Sequence, residues 1–212
     1  MNKIITFKEA INISKSIWVD VRCPREFAKG HFKDAINIPI FSNEEYKQLG
    51  TIYRKKGRKE AVEIGEKYAK KSTNKIIEKI SDLNSEDIIL YCARGGMRSK
   101  GMEQLLNNSN KSVYIISNGY KSIRQNVLES FNIKRNIIIV AGSTGTGKTQ
   151  ILKNMNKQGY DIIDLEGLAN HKGSAFGDLD RLEQPTQQQF ENNLSKKWAN
   201  IDKNNLVFIE SE

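Results

Sequence analysis

The sequence has few of the residues on which disulfide-rich and zinc-binding proteins depend. Its 212 residues include two cysteines, Cys23 and Cys92, and two histidines, His31 and His171. Two cysteines are too few for a disulfide framework, and neither residue type has the spacing of zinc ligands. We therefore expect a protein of the reducing cytoplasm, without a metal site built from a cluster of side chains.

Long apolar runs are also lacking. None approaches the roughly eighteen residues that a bilayer crossing requires, so we expect no membrane partner. The N-terminal stretch, MNKIITFKEAINISKS, has polar residues throughout and no small-residue cleavage site after an apolar core. It therefore predicts no signal peptide.

Positive charge is in excess, with a formal net charge of +9. This excess favours a polyanionic partner, because neutralisation of phosphates by lysine and arginine drives non-specific nucleic-acid binding. Lysine is abundant along the whole chain, however, which is equally consistent with a solvated surface. The same two interpretations stay open for a basic, aromatic-flanked run that comprises Tyr53, Arg54, Lys55, Lys56 and Arg58.

One cysteine stands in a segment typical of an anion-binding loop, YCARGGMRSKG at 91–101. The apolar run before it predicts a buried strand, and Ser99 is predicted to cap the helix that follows. A strand, a tight turn and a helix N-terminus direct several backbone N–H groups toward one point, which favours thiolate over thiol. We therefore predict that Cys92 is a nucleophile with a lowered pKa rather than a buried structural thiol. The predicted anion cradle comprises Arg94, Gly95, Gly96, Met97, Arg98 and Ser99.

Strands that alternate with helices predict an α/β fold with parallel or mostly parallel sheets. The first domain is predicted over 1–133, with a helical insertion at about 43–81. Asp20 and Arg22, at the end of a predicted strand, are expected to support the Cys92 loop rather than to react. The predicted strands of this domain are IWVDV, AINI, DIIL and SVYII.

A second domain is predicted over 134–212, where a β-branched run leads into GSTGTGKT and then a helix. This is the phosphate-binding P-loop motif in its required strand, loop and helix setting. The Lys148 ammonium would reach terminal phosphates, and the Thr149 hydroxyl would bind Mg²⁺. The predicted phosphate-binding residues are Gly142, Ser143, Thr144, Gly145, Thr146, Gly147, Lys148 and Thr149. Further candidates for this site are Asp164, Glu166, His171, Lys172 and Glu210.

The second domain is short for a P-loop fold. It supplies about three strands and two helices, near the lower limit for an independent domain. We therefore expect a partial P-loop domain. Either a separate chain completes this domain, or one edge of its sheet is exposed.

The stretch at 19–39, VDVRCPREFAKGHFKDAINIP, resembles the rhodanese signature. Together with the Cys92 loop, it implies a rhodanese-like fold, whose members carry sulfur or selenium on the loop cysteine. The spacing from Cys92 to Arg98 is Cys-x5-Arg, one residue longer than the common sulfurtransferase loop. That spacing also resembles phosphatases that share the fold.

The order of the motifs is similar to that of the tRNA 2-selenouridine synthase family: YCARGGMRS, NGYKSIRQ, GSTGTGKT, DLEGLANHKGSAFG and FIESE. The resemblance implies that a wobble 2-thiouridine of tRNA is S-geranylated by geranyl diphosphate and then exchanges its S-geranyl group for selenium from selenophosphate. Cys92 would receive the selenium, and the P-loop would grip the prenyl diphosphate with Mg²⁺. Gly65 lies in a segment that also resembles the family, and would either pack helices closely or line a prenyl pocket.

Three other functions stay open. The first is a Cys-x5-Arg phosphatase, although Tyr91 stands where those enzymes tend to carry histidine. The second is a P-loop kinase or ATPase with a rhodanese-like regulatory module. The third is a non-catalytic module that docks tRNA or a partner chain.

Overall fold

The computed structural model contains two compact units, Met1–Arg124 and Gln125–Glu212, each with its own parallel sheet. The predicted α/β class is therefore confirmed. The division falls inside one helix, whereas the sequence prediction places the domain boundary after residue 133. The structure describes residues 3–107, 109–143, 146–170, 183–202 and 204–210.

The first unit is built on a five-stranded sheet with the order β1-β5-β4-β2-β3, in which all neighbours are parallel. Its elements are β1 (Lys3–Ile5), α1 (Phe7–Ala10), β2 (Ile17–Asp20), α2 (Pro24–Lys29), β3 (Ile36–Asn37), α3 (Asn43–Lys56), α4 (Arg58–Ser81), β4 (Asp87–Tyr91), α5 (Met97–Leu106), β5 (Ser112–Ile116) and α6 (Gly119–Ser130), the last of which crosses the division. Because β4 is the central strand, Cys92 leaves the sheet at its middle.

Both faces of this sheet are covered. Side chains alternate along β4, so Ile88 and Leu90 face one core cluster while Ile89 and Tyr91 face the other. Helices α4 and α5 pack on the first face, and α1 and α6 pack on the second. These four side chains are fully buried, and the burial of each large apolar side chain stabilises the fold by about 1.5–3 kcal/mol. The strand that carries Cys92 is therefore rigidly held.

Helices α3 and α4 occupy the segment predicted as a helical insertion. The Ser42 hydroxyl accepts from the Glu45 N–H, and the Glu45 carboxylate accepts from the Ser42 N–H, which fixes the start of α3. Gly57, with φ of +88°, separates the two helices. No helix in the described ranges is both long enough and apolar enough to cross a membrane, and this includes α4 with its 24 residues.

The second unit has a three-stranded sheet with the order β6-β8-β7. Its elements are β6 (Asn136–Val140), α7 (Lys148–Lys157), β7 (Asp161–Ile163), α8 (Leu165–Ala169), α9 (Gln187–Asn200) and β8 (Leu206–Glu210). The core is small, with Ile163, Ile201 and Val207 buried. In contrast, Ile137 and Ile139 of β6 are 46% and 66% exposed, so the strand before the P-loop is covered poorly by the described residues.

Helix α8 follows β7 almost directly, and the candidate site residues Asp164 and Glu166 lie at its start. Asp164 accepts a hydrogen bond from the Gly167 N–H and so caps the helix. Leu165 and Leu168 then pack against the small core. The cap and two leucines at helical spacing outweigh the glycine and asparagine of this short segment.

Candidate active site

Cys92 follows β4 directly, in a loop that carries it to the N-terminus of α5. Its Sγ accepts a hydrogen bond from the Gly96 N–H at 3.2 Å. Its carbonyl accepts from the Tyr120 N–H at 2.7 Å, which ties the loop to the start of α6. The structure therefore contains the predicted strand, turn and helix N-terminus around this cysteine.

Two glycines allow this loop to close. Gly95 has φ of +62°, and a Cβ there would lie 2.7 Å from the Ile116 carbonyl oxygen. Gly119 has φ of +51°, and a Cβ there would collide with the Cys92 carbonyl oxygen. The sequence prediction missed Gly119, although the Asn118-Gly119 pair after β5 is typical of a tight turn.

The loop favours the thiolate of Cys92. Burial raises the pKa of this thiol, but hydrogen bonds from the Ser99 hydroxyl and from the Arg94 and Ser99 N–H groups, with the charge of Arg98, lower it below its ordinary value. Arg94 contributes its N–H group here, while the residue itself is exposed. The net direction agrees with the sequence prediction of a lowered pKa.

Ser99 has a different role from the one predicted. Helix α5 begins at Met97 after Gly96, so Ser99 lies inside the first turn and is not the cap. The glycine turn reaches helical geometry earlier than the serine. The Ser99 Oγ is fully buried and, apart from the Cys92 sulfur, has no hydrogen-bond partner among the described residues. Its hydroxyl thus serves the Cys92 sulfur and no other group in the described part of the chain.

Arg98 is held in place by a residue that the sequence prediction missed. Its guanidinium donates to both carboxylate oxygens of Glu26, at 2.6 and 3.3 Å, and lies 5.0 Å from the centre of the Tyr46 ring. Burial raises the pKa of Glu26, but Arg98 lowers it below its usual value, so the carboxylate stays ionised. The cradle therefore carries less net positive charge than its two arginines suggest.

Asp20 and Arg22 form a buried ion pair with a 2.6 Å contact. Arg22 also donates to the Gly30 carbonyl and lies 3.7 Å from the centre of the Tyr120 ring. Because the Tyr120 N–H holds the Cys92 carbonyl, the pair braces the loop through Tyr120. This arrangement fits the predicted supporting role.

An apolar cavity of about 800 Å³ opens beside the Cys92 loop. Gly65 of α4 lines it, and a Cβ there would lie 3.5 Å from Phe41 and 3.7 Å from Leu49, at ordinary contact distances. A larger side chain at this position would enter the cavity. The other principal lining residues are Ile40, Tyr46, Tyr53, Val62, Ala69, Met97, Arg98 and Leu105.

The P-loop lies at the end of β6, where the register Val140↔Glu210 brings β8 alongside. The Lys148 Nζ donates to the carbonyls of Gly142 and Ser143, at 2.6 and 3.2 Å, and lies 4.0 Å from Glu210. The Thr149 hydroxyl donates to Glu210 at 3.2 Å. Of the predicted phosphate-binding residues, Thr144 and Gly145 lie outside the described residues.

The remaining candidates of the second unit fall in different places. Asp164 lines a cavity of about 400 Å³ together with Thr149 and Glu210, which the structure thus brings close to one another. Glu166 lies in the first turn of α8. His171 and Lys172 lie outside the described residues. Across the described ranges, no group of three histidine, cysteine or acidic side chains has metal-binding geometry.

Comparison with known proteins covers both units. A family model for the rhodanese-like domain matches residues 5–126, and a model described as the tRNA 2-selenouridine synthase AAA domain matches residues 135–212. The crystal structure of the N-terminal domain of a Clostridium difficile 630 protein, described as ATP/GTP-binding, is similar at 38% identity and a TM-score of 0.57. That similarity covers 59% of this chain and 99% of the crystallised one.

Curated relatives align with most of the chain. The tRNA 2-selenouridine synthase of Nitrosomonas europaea is 34% identical over 212 residues, which cover 96% of this chain and 54% of the relative. That of Shewanella frigidimarina is 40% identical over 184 residues, which cover 84% and 49% respectively. This chain spans about half the length of the curated relatives it matches. Through its rhodanese-like domain, and through the AAA domain joined to it, the chain belongs to the tRNA 2-selenouridine synthase family.

Proposed function

We propose that this chain carries the selenium-transfer site and the diphosphate-binding loop of an enzyme that converts 2-thiouridine to 2-selenouridine at the wobble position of tRNA. One observation carries the proposal: Cys92, with its lowered pKa, lies in a loop whose residues Met97 and Arg98 also line a large apolar cavity. A nucleophile beside an apolar cavity suits a substrate that joins a polar base to a hydrocarbon chain.

In the proposed first step, the sulfur of 2-thiouridine attacks C1 of geranyl diphosphate. A C–S bond forms, the C–O bond breaks, diphosphate leaves and the base loses its N3 proton. Lys148 and the P-loop N–H groups would bind the departing diphosphate. The oxygens of Thr149 and Glu210, 3.2 Å apart, are the hard ligands that Mg²⁺ prefers, and this ion would neutralise the leaving group.

The S-geranyl chain of the product would then occupy the apolar cavity. Leu49 and Gly65 contribute to its walls, and each methylene that enters gains about 0.8 kcal/mol. The cavity would hold the hydrocarbon while the base lies at the Cys92 loop. Gly65 would keep the cavity open by the absence of a side chain.

In the proposed second step, selenium replaces the prenylated sulfur. Selenophosphate and water supply phosphate and a selenide equivalent, so no oxidant is needed. The C2–Se bond forms as the C2–S bond breaks, and geranyl thiolate leaves. The Cys92 thiolate would attack the phosphorus of selenophosphate, so that an S–P bond forms, the P–Se bond breaks and hydrogen selenide is released to attack C2. The N–H groups of Arg94, Gly96 and Ser99 would hold the phosphoryl oxygens, and water would then hydrolyse the S–P bond to phosphate and free Cys92.

Mass spectrometry of tRNA nucleosides tests both steps, after incubation of 2-thiouridine tRNA with the protein, geranyl diphosphate and selenophosphate. We expect Cys92→Ser to stop at the geranylated nucleoside and Lys148→Ala to leave 2-thiouridine unchanged. Cys23→Ser is the matched control and should behave as wild type. Selenouridine formation by Cys92→Ser at the wild-type rate would refute the assignment.

Substitutions at Gly65 test the cavity in the same assay. Gly65→Ala should be tolerated, because its Cβ would make ordinary contacts. Gly65→Leu should block selenium exchange, because the side chain would occupy the space of the prenyl group. Equal activity of the two variants would exclude the cavity as the prenyl site.

A further inference from the structure

Five cationic side chains lie within the six residues 54–59, where α3 ends and α4 begins. All five residues are exposed, and Tyr53, directly before them, is 58% exposed. We name this segment, Tyr53 to Lys59, the basic corner. Its cations are Arg54, Lys55, Lys56, Arg58 and Lys59.

The basic corner adjoins the Cys92 loop. The Arg58 Nη2 lies 3.9 Å from the Sδ of Met97, which is the first residue of α5 and is itself 53% exposed. Tyr53 and Arg58 also line the apolar cavity that Met97 and Arg98 border. The corner therefore lies at an edge of the proposed selenium-transfer site, and not on a remote face.

Acidic groups compensate little of this charge. Lys56 forms an exposed ion pair with Glu60, which stabilises the start of α4 only slightly. In the parts of the chain that the structure describes, Arg54, Lys55 and Lys59 make no ion pair. A helix surface that served solubility alone would more commonly alternate the two signs.

We propose that the basic corner binds the phosphates of a single-stranded RNA segment, and that Tyr53 stacks on one of its bases. This inference rests on the proposed function, which requires an RNA base to reach Cys92. A base inside a duplex is inaccessible to such a nucleophile, whereas an unpaired loop can present one base while its neighbours stack on aromatic rings. The corner supplies cations and an exposed aromatic side by side.

Fluorescence anisotropy with a labelled RNA hairpin that has 2-thiouridine in its loop tests the phosphate contacts. Lys55→Gln/Lys59→Gln should weaken binding and reduce the slope of log K against log salt by about 1.4, since each single-strand phosphate contact contributes about 0.7. Lys8→Gln/Lys15→Gln removes the same charge from exposed positions in and beside α1, on the opposite face of the sheet, and should leave the slope unchanged. Equal effects of the two pairs would overturn the inference.

Substitutions at Tyr53 test the stacking contact. Tyr53→Ala should weaken hairpin binding about tenfold, and Tyr53→Phe should not, because the ring is what a base contacts. Polyglutamate of matched charge should compete poorly with the hairpin. Equal binding by the Ala and Phe variants, or efficient competition by polyglutamate, would show plain charge attraction and overturn the inference.

A separate measurement keeps this inference distinct from the proposed function. Selenophosphate should modify Cys92 in the absence of RNA, and intact mass spectrometry measures the modified fraction. Because this reaction does not involve the basic corner, the modified fraction should be the same in wild type and in the corner variants. If the wild-type protein is not modified, the proposed reaction at Cys92 is refuted, and the hairpin-binding measurements still test whether the basic corner binds RNA. If the corner variants alone lose modification, the corner acts on Cys92 directly and the inference as stated fails.

Discussion

The two units hold their glycine-containing loops, the Cys92 loop and the P-loop, in different ways. In the first unit, the sheet is covered on both faces, and the Cys92 loop is fixed by hydrogen bonds from Gly96 and Tyr120. In the second unit, the isoleucines of β6 are largely exposed, and Lys148 donates to carbonyls of its own loop. A thiolate needs a fixed environment to keep its pKa low, whereas a polyphosphate-binding loop takes its final contacts from the ligand.

The largest difference should appear at the loop glycines. Gly119→Ala should abolish modification of Cys92 by selenophosphate and lower stability by about 4 kcal/mol or more, because its Cβ would collide with the Cys92 carbonyl. Gly147 in the P-loop has φ of +83°, but a Cβ there would meet open space. We therefore expect Gly147→Ala to lower stability by only about 1 kcal/mol. Urea unfolding and intact mass measure both effects. Similar costs at the two positions would break the comparison.

Core substitutions should give the next largest difference. Leu90→Ala in the buried β4 should cost about 2–5 kcal/mol, and Ile139→Ala in the exposed part of β6 about 0.5 kcal/mol or less. The first unit contains Trp18 and the second contains Trp198. When one tryptophan is replaced by phenylalanine, the fluorescence of the remaining one reports the unfolding of its own unit. A large loss for Ile139→Ala would mean that β6 is covered in solution.

The smallest effect concerns the charge balance of the first unit. The pKa of Cys92 is lowered, whereas burial raises the pKa of Cys23, so between the two values Cys92 alone is a thiolate. Alkylation should therefore begin at Cys92 as the pH rises, below the ordinary cysteine value of about 8.5. Glu26→Gln removes the charge that opposes Arg98 and should move this transition to lower pH, by about one unit or less.

Alkylation mapped by peptide mass spectrometry across a pH series measures this transition, with the wild-type protein treated in parallel as the reference. Glu45→Gln, another glutamate near a helix start, controls for the loss of a negative charge elsewhere in the unit. A transition that moved to higher pH in Glu26→Gln would mean that the carboxylate acts chiefly by holding Arg98 in place.

Local sequence signals were sufficient for the parts of the sites that neighbouring residues build. The segment around Cys92 encodes a strand, a loop and a helix within about twenty residues. The segment around the P-loop motif does the same. Contacts between distant segments were not predictable from these signals. Glu26 meets Arg98 across 72 positions of sequence, and Gly119 meets Cys92 only because β5 lies beside β4.

Short elements were missed for a second physical reason. The three residues of β1 show no alternation of their own, and they form a strand because β5 offers a parallel edge. The predicted Ser99 cap failed because serine is favoured at a helix start, while the glycines before it had already reached that geometry. For β1 the tertiary context outweighed local preference, whereas at Ser99 one local signal outweighed another.

The contacts of Lys148 with the Gly142 and Ser143 carbonyls have a consequence for ligand choice. An incoming anion must compensate the ammonium group for two hydrogen bonds that it already makes. An ion that offers few acceptor oxygens gains little from that exchange, whereas a longer chain of phosphoryl groups also reaches the surrounding N–H donors. If the P-loop binds phosphates as proposed, a lysine that already makes two internal hydrogen bonds would therefore favour a chain of phosphoryl groups over orthophosphate.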